Sequence, residues 1–171
     1  MRLAFSRGTT RVENAMLKKW IALVACILSF SATFGAMAAD KLPYDEKADA
    51  HAELTQALAQ AKASNKKVLA VFGANWCKDC RELDKALHGK SAALVDGKFV
   101  VVKIDVGNFD RNTDLAKAYG NPIRKGIPAA VVLTPDNQVV YATKGGELAD
   151  ARSMGETGIY DFFNAMIARQ Q

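Results

Sequence analysis

Residues 67–88 read KVLAVFGANWCKDCRELDKALH, and this stretch decides the fold. It opens with a continuous apolar run of strand length, which is typical of a buried central strand. The run leads directly into a segment with helical spacing, in which Cys80, Leu83 and Leu87 share one face. We therefore predict a strand followed at once by a helix, with Cys77 and Cys80 at the turn between them.

The two cysteines of this stretch are the residues that indicate a chemistry. Thiols separated by two residues can form a disulfide, and a cysteine at a helix start is favoured as a thiolate because free backbone N–H groups stabilise an anion. A disulfide that closes so short a loop gains little entropy, so stabilisation is a poor reason for the pair. The third cysteine, Cys26, lies in the N-terminal region. Redox chemistry at Cys77 and Cys80 is therefore the favoured role.

The N-terminal region has the pattern of a bacterial export signal. Met16 is the predicted start, Lys18 and Lys19 follow it, and residues 20–34 form an apolar stretch. Ala36-Met37-Ala38 then supplies the small-x-small pattern of a cleavage site. Because the apolar stretch is shorter than the roughly 20 residues of a membrane-spanning helix, we expect cleavage and not a permanent anchor.

This pattern divides the chain into two parts. Residues 1–39 are assigned to an N-terminal extension and signal peptide, and residues 40–171 to a single domain in the periplasm or outside the cell. Leu23-Val24-Ala25-Cys26 also resembles a lipobox, so a lipid anchor through Cys26 is the alternative. The residues after Cys26 stay apolar, which favours the cleaved, soluble form.

The charge of the chain gives no case for nucleic-acid binding. The net charge is +5, but five of the 23 Lys and Arg residues and only one of the 18 acids lie in residues 1–38. The remainder carries 18 basic and 17 acidic residues and is nearly neutral. A nearly neutral domain lacks the basic footprint that phosphate backbones require.

The pattern after residue 40 predicts the element order α-β-α-β-α-β-β-α, which describes a sheet with helices on both faces. Asn112 or Thr113 is predicted to cap a short helix that runs through Tyr119, and residues 145–152 are predicted to be a loop. The main predicted elements are helices at 48–63, 78–88 and around the apolar stripe Ile159–Ile167, and strands at 67–74, 99–106, 129–133 and 139–142.

This order, with Trp76-Cys77-Lys78-Asp79-Cys80 after the first strand, resembles the thioredoxin fold. Tyr119-Gly120 and Gly126-Ile127-Pro128 also look like segments of thioredoxins. The sequence is most similar to exported bacterial thioredoxin-like proteins related to the C-terminal domain of the transmembrane thiol:disulfide interchange protein. The resemblance implies an α/β fold whose central mixed β-sheet is flanked by helices on both faces.

The resemblance also assigns roles to residues. It implies that Cys77 is the nucleophile and Cys80 the resolving thiol, which attacks the mixed disulfide and releases the substrate. The Cys77 sulfur is expected to be accessible at the helix start, with Cys80 facing inward behind it. Lys78 and Asp79 are expected to tune the pair, and their opposite charges leave the sign of the joint effect open.

Three further residues are expected to contact the substrate. The resemblance implies that Trp76 shapes the rim of the site, that Pro128 follows a cis peptide bond and that the Ile127 backbone pairs with the substrate strand. An isoleucine before this proline is similar to reducing thioredoxins, and it tilts the expected direction towards reduction.

Two departures from the thioredoxin pattern matter. Thioredoxins carry a buried aspartate six residues before the first cysteine, where it assists proton transfer to the second, and this chain has Val71 there. We therefore expect slower turnover than thioredoxin, and Asp105 is the acid to check for proximity to Cys80. Lys78 and Asp79 replace Gly-Pro, so the reduction potential cannot be carried over.

The sequence therefore predicts an exported thiol:disulfide oxidoreductase, acting on protein disulfides in the reducing direction. No organic cofactor or metal is expected, because the electrons reside in the cysteine pair. A membrane thiol reductant is the expected electron donor, and the protein is expected to be a monomer. Two alternatives stay open: a disulfide oxidase or isomerase, and a module that binds copper or another soft metal. Zinc is disfavoured because His51 and His88 lie too far along the chain from the cysteines.

Overall fold

The apolar run that begins at Lys67 forms a central strand of the computed structural model, which describes residues 42–170. The sheet order is β2-β1-β3-β4. Strand β2 runs parallel to β1, whereas β3 is antiparallel to both β1 and β4, so the sheet is mixed. All four strands lie within one residue of their predicted bounds: β1 (Lys67–Gly73), β2 (Phe99–Asp105), β3 (Ala129–Leu133) and β4 (Val139–Ala142).

Helices connect and cover these strands. The first begins after Asp49, whose carboxylate accepts the backbone N–H groups of His51 and Ala52, and it ends at Asn65 in the left-handed conformation. A short 3₁₀ helix spans Pro122–Lys125. The α-helices within residues 42–170 are α1 (Ala50–Ser64), α2 (Lys78–His88), α3 (Ala92–Asp96), α4 (Thr113–Ala118) and α5 (Ala151–Ala168).

The strands bury alternate residues on opposite faces of the sheet, and each face has its own apolar cluster. On one face, Leu54 of α1 packs with Phe72 of β1. On the other face, Leu69 of β1 packs with Leu83 of α2 and Phe163 of α5. Each of these side chains contributes roughly 1.5–3 kcal/mol when fully buried. The two-sided cover confirms the predicted architecture and fixes α2 against the sheet.

Three local expectations are corrected by the structure. Helix α3 was not predicted, because five residues are too few to show helical periodicity. Residues 145–152 are not all loop, since α5 already begins at Ala151 and bends at Gly155, whose φ is 61°. Asn112 occupies the predicted cap position of α4 without capping it, because its amide donates to the carbonyl oxygen of Asp105 at 2.7 Å.

The predicted start at Met16, the signal peptide and the lipobox around Cys26 lie outside the described residues. Within residues 42–170, no helix combines the length and the apolar character that crossing a membrane requires.

Candidate active site

The cysteine pair lies at the point where β1 turns into α2. Cys77 is the N-cap residue of α2, and its sulfur accepts the backbone N–H of Cys80 at 3.1 Å. The two cysteines form a disulfide, with their Cα atoms 5.2 Å apart. The Cys77 sulfur therefore occupies the place where a helix N-terminus stabilises negative charge, which is the position that the sequence predicted.

The two sulfurs differ in access to solvent. Cys77 keeps 6% of its surface exposed, whereas Cys80 is fully covered. The predicted order is present, with Cys80 behind Cys77, but Cys77 is less open than the accessible thiol that we expected. In this disulfide form only Cys77 offers any surface to a partner.

The Ile127–Pro128 segment lies beside the first sulfur. The carbonyl oxygen of Ile127 is 3.6 Å from Cys77 Sγ, and the Ile127–Pro128 peptide bond is cis. Both residues are buried and lead directly into β3. The fold thus brings together two segments that are 50 residues apart in the sequence.

An aromatic pair stands at the rim of the site. Trp76 is 55% exposed, and its indole N–H donates to the carbonyl oxygen of Gly107 at 2.9 Å. Phe109 is also exposed and meets Trp76 edge to face, with ring centroids 6.2 Å apart. Phe109 further lines a groove of about 420 Å³ whose lining includes Gly126, the residue before Ile127. Sequence reasoning missed Phe109, because no periodic pattern marks a single aromatic residue in a loop.

Asp79 is held by a partner that the sequence did not reveal. The Arg152 side chain donates to both carboxylate oxygens, at 3.2 and 3.1 Å, and the Arg152 backbone N–H donates at 3.0 Å. Burial alone would raise the pKa of Asp79, but the hydrogen bonds and charge of Arg152 outweigh it and lower that pKa. Lys78 is exposed. The negative charge of Asp79 is therefore offset where Cys77 begins the helix.

Two further polar residues, Tyr44 and Asp105, lie next to Gly73 at the end of β1, and Val71 of the same strand is apolar and buried. The Tyr44 hydroxyl fills the space beside Gly73, and the Cys80 sulfur borders the same space. Asp105 is buried at the end of β2. Its carboxylate accepts the backbone N–H of Gly107 and a guanidinium N–H of Arg111, both at 3.2 Å. Burial raises the pKa of Asp105, although the Gly107 N–H and the Arg111 charge partly oppose this. Sequence reasoning named Asp105 but not Tyr44.

A family model described as thioredoxin-like matches residues 49–135, which is half of the chain. The chain belongs to the thioredoxin-like family. Its sheet, its helices and its disulfide at a helix N-terminus have the thioredoxin-like arrangement that the sequence resemblance implied.

Individual relatives support this membership. The chain is 58% identical to a protein of solved structure described as a disulphide isomerase from Xylella fastidiosa Temecula1, and the match covers 75% of this chain and 99% of that one with a TM-score of 0.73. A thioredoxin from Thermus thermophilus matches at 22% identity over 67% of this chain and 84% of that one, with a TM-score of 0.50, and shows the fold alone.

A curated relative matches a shorter stretch. The chain is 40% identical over 68 residues to the thiol:disulfide interchange protein DsbD of Vibrio cholerae serotype O1. The match covers 39% of this chain and spans only 11% of that protein.

The histidines of this thioredoxin-like domain are engaged away from the disulfide. His51 Nε2 lies 2.7 Å from a carboxylate oxygen of Asp114, and His88 Nδ1 lies 2.8 Å from the carbonyl oxygen of Asp84. Within residues 42–170, no group of three or more His, Cys, Asp or Glu side chains is placed to hold a metal ion. The chemistry that the arrangement supports is thiol–disulfide exchange at Cys77 and Cys80.

Proposed function

We propose that this protein is an exported thiol:disulfide oxidoreductase that reduces disulfides in other proteins. The observation that carries the proposal is the position of the Cys77 sulfur, which accepts a helix N-terminal N–H and lies beside the Ile127 carbonyl. A sulfur placed there is stabilised as a thiolate, the nucleophilic form of cysteine. The 58% identity to a protein described as a disulphide isomerase supports the same class of chemistry.

The proposed reaction has two exchange steps. In the reduced protein, the Cys77 thiolate attacks one sulfur of a substrate disulfide, the substrate S–S bond breaks, and its other sulfur leaves as a thiolate. The buried Cys80 thiol then loses its proton and attacks Cys77, which releases the second substrate sulfur and forms the Cys77–Cys80 disulfide. Two electrons pass to the substrate, so the pair needs no organic cofactor or metal.

The substrate is proposed to lie along Ile127 and the aromatic rim. Pro128 holds the Ile127 backbone just before the first residue of β3, next to the disulfide. There the Ile127 backbone can pair with an extended substrate segment. Trp76 and Phe109 offer exposed aromatic surface at the rim of the site. Lys78 and Asp79 tune Cys77, with Asp79 largely offset by Arg152.

The activity is tested with insulin as the substrate and dithiothreitol as the electron source. Cys77→Ser should abolish insulin reduction, and Cys80→Ser should accumulate mixed disulfides with the substrate. Ser64→Ala is the control and should keep full activity, since Ser64 is exposed at the end of α1 and its hydroxyl donates to backbone carbonyl oxygens of that helix. Undiminished insulin reduction by Cys77→Ser would reject the proposal. Zinc or copper bound stoichiometrically to the reduced protein, without exchange activity, would support the metal-binding alternative instead.

Isomerase activity is the second candidate, and the observation that favours it is the 58% identity to the Xylella fastidiosa disulphide isomerase. The direction follows from the reduction potential, measured by equilibration with glutathione. A potential near −270 mV, as in thioredoxin, supports a reductase, whereas one near −180 mV supports an isomerase. Recovery of activity by scrambled ribonuclease A provides the independent assay of isomerisation.

Export and the electron donor complete the proposal. Cleavage after Ala38 would release the domain into the periplasm, where a membrane thiol reductant would recharge Cys77 and Cys80. Mass spectrometry of the mature protein should place its N-terminus at Ala39. A lipid-modified N-terminus at Cys26 would show the anchored form instead. Size-exclusion chromatography should give the mass of a monomer.

A further inference from the structure

The last residue of β1 leaves room for a side chain from another segment. A Cβ on Gly73 would overlap the Tyr44 hydroxyl and would lie 3.0 Å from the Cys80 sulfur. The Tyr44 hydroxyl therefore occupies the place of the missing Gly73 side chain, and the Cys80 sulfur borders that same place. Any larger residue at position 73 would push the hydroxyl away from that sulfur.

The placement of Tyr44 is fixed by the active-site loop itself. Asn75, two residues before Cys77, accepts the Tyr44 backbone N–H at 3.0 Å and donates to the Tyr44 carbonyl oxygen at 2.8 Å. The Asn75 amide also donates to a carboxylate oxygen of Glu46 at 3.0 Å. Tyr44 is only 3% exposed. The loop that carries the nucleophile thus also positions this tyrosine.

The Tyr44 hydroxyl remains available as a hydrogen-bond donor. Asp105 is the register partner of Gly73 in the parallel strand pair, so the two residues project to the same face of the sheet. Burial, together with the nearby Asp105 charge, raises the pKa of the Tyr44 hydroxyl and keeps it protonated. No hydrogen bond between residues of the described range 42–170 uses this hydroxyl.

The resolving step creates a need for such a donor. Cys80 is fully covered, and a buried thiolate without a hydrogen-bond partner is costly. Val71 supplies no polar group at the position where thioredoxins have an aspartate. We propose that the Tyr44 hydroxyl donates a hydrogen bond to the Cys80 thiolate and so assists the resolving step. This inference rests on the proposed function and adds a residue to it.

The atoms balance without any further reactant. In the resolving step the Cys77–substrate S–S bond breaks, the Cys77–Cys80 bond forms, and the proton lost by Cys80 is balanced by the proton that the released substrate sulfur takes up. Tyr44 keeps its own proton throughout. Its part is to stabilise the charge on Cys80 between the loss of the Cys80 proton and the attack of Cys80 on Cys77.

Tyr44→Phe tests this role because it keeps the ring and removes only the hydroxyl. In a Cys77→Ser background, the Cys80 pKa, measured by ultraviolet absorbance of the thiolate, should rise by about one unit. The charged groups around this site, Asp105, Arg111 and Glu46, are unchanged by the substitution, so the shift reports the hydroxyl.

Kinetics separate the two exchange steps. Attack of Cys77 on a small aromatic disulfide should be unchanged in Tyr44→Phe. Release of glutathione from a Cys77–glutathione mixed disulfide should be about threefold slower at neutral pH, because roughly tenfold less thiolate is partly offset by greater nucleophilicity. At alkaline pH, where Cys80 is ionised in both proteins, the order should reverse and Tyr44→Phe should release glutathione about threefold faster, because only the greater nucleophilicity of its thiolate remains.

Tyr119→Phe is the matched control. Tyr119 is also buried, but its hydroxyl donates to Asn137 at 2.8 Å, in the turn between β3 and β4. It should change neither step.

Two results would overturn the role of Tyr44: a Cys80 pKa and release rate equal to those of the unsubstituted protein, or an equal loss in both steps. If Cys77 of the unsubstituted protein attacks no disulfide, the proposed function fails. The Cys80 titration still tests Tyr44 in that case, because it needs no substrate.

Discussion

Arg152 holds both carboxylate oxygens of Asp79, the residue that directly precedes Cys80. The contact joins the first turn of α2 to the first turn of α5, 73 residues away in the sequence. It places a positive charge beside the only acid between the two cysteines. The sequence left the joint effect of Lys78 and Asp79 on Cys77 open. Arg152 supplies a third charge, which the sequence did not reveal.

Removal of Arg152 should therefore lower the fraction of Cys77 that is present as thiolate. In Arg152→Met the Asp79 charge is no longer offset, so the pKa of Cys77 in the reduced protein should rise by about half a unit. Thiolate absorbance or the pH dependence of alkylation measures it. The double variant Asp79→Asn/Arg152→Met should restore the original pKa, because both charges are gone. Arg169→Met, at the other end of α5, is the control, and an unchanged Cys77 pKa in Arg152→Met would contradict the prediction.

The same ion pair should make stability depend on acid pH. Because Arg152 lowers the pKa of Asp79 in the folded state, the unfolded state binds a proton first as the pH falls. The stabilisation is complete above the unfolded pKa of about 3.9 and is lost as the pH falls through the lower folded value. Asp79→Asn should flatten this part of the stability profile, measured by urea unfolding between pH 7 and pH 3. An unaltered pH profile in that variant would count against the ion pair.

Phe109 should contribute to the binding of protein substrates. Phe109→Ala removes an exposed aromatic that packs against Trp76, so KM for insulin should rise by roughly fivefold. Reaction with a small aromatic disulfide should keep its rate, since Cys77 is untouched. Val139→Ala, on the exposed face of β4, is the matched control. Equal losses with insulin and with the small disulfide would exclude a binding role for Phe109.

The stability of the domain should depend on Phe163, which lies in the apolar cluster between the sheet and α2. This side chain is fully buried and packs in the cluster that includes Leu83 and Leu69. Phe163→Ala should lower the free energy of unfolding by about 3–5 kcal/mol, whereas Phe163→Leu should cost less because it leaves a smaller cavity. Urea unfolding gives both values. A loss below about 1 kcal/mol for the alanine variant would mean that the cluster repacks around the cavity.

Most of the fold could be predicted because its signals are local. The apolar run at β1 and the short apolar runs of β3 and β4 located the strands to within one residue. The helical spacing of Cys80, Leu83 and Leu87 predicted the buried face of α2, and all three are buried. The cysteine spacing located the redox pair, and the resemblance to thioredoxins located the Ile127–Pro128 segment.

The residues that escaped prediction act through long-range contacts. The Tyr44 hydroxyl fits beside Gly73 only because Gly73 lacks a side chain, and no local pattern encodes that space. Arg152 was assigned to a loop, so its contact with Asp79 could not be anticipated. Phe109 lies in a loop and itself has a positive φ of 65°, which is uncommon for residues other than glycine. Each depends on tertiary geometry and not on periodicity.

The clamp between Asn75 and Tyr44 has a practical consequence for where this domain can be cut. The family match starts at residue 49, after Tyr44, so a version of the domain that begins there would retain both cysteines. It would nonetheless lose the tyrosine that fills the space beside Gly73 and would leave the Asn75 amide without the Tyr44 backbone groups that it bonds. Chimeras and minimal versions of this protein should therefore begin upstream of Tyr44, even though residues 42–49 have no regular secondary structure.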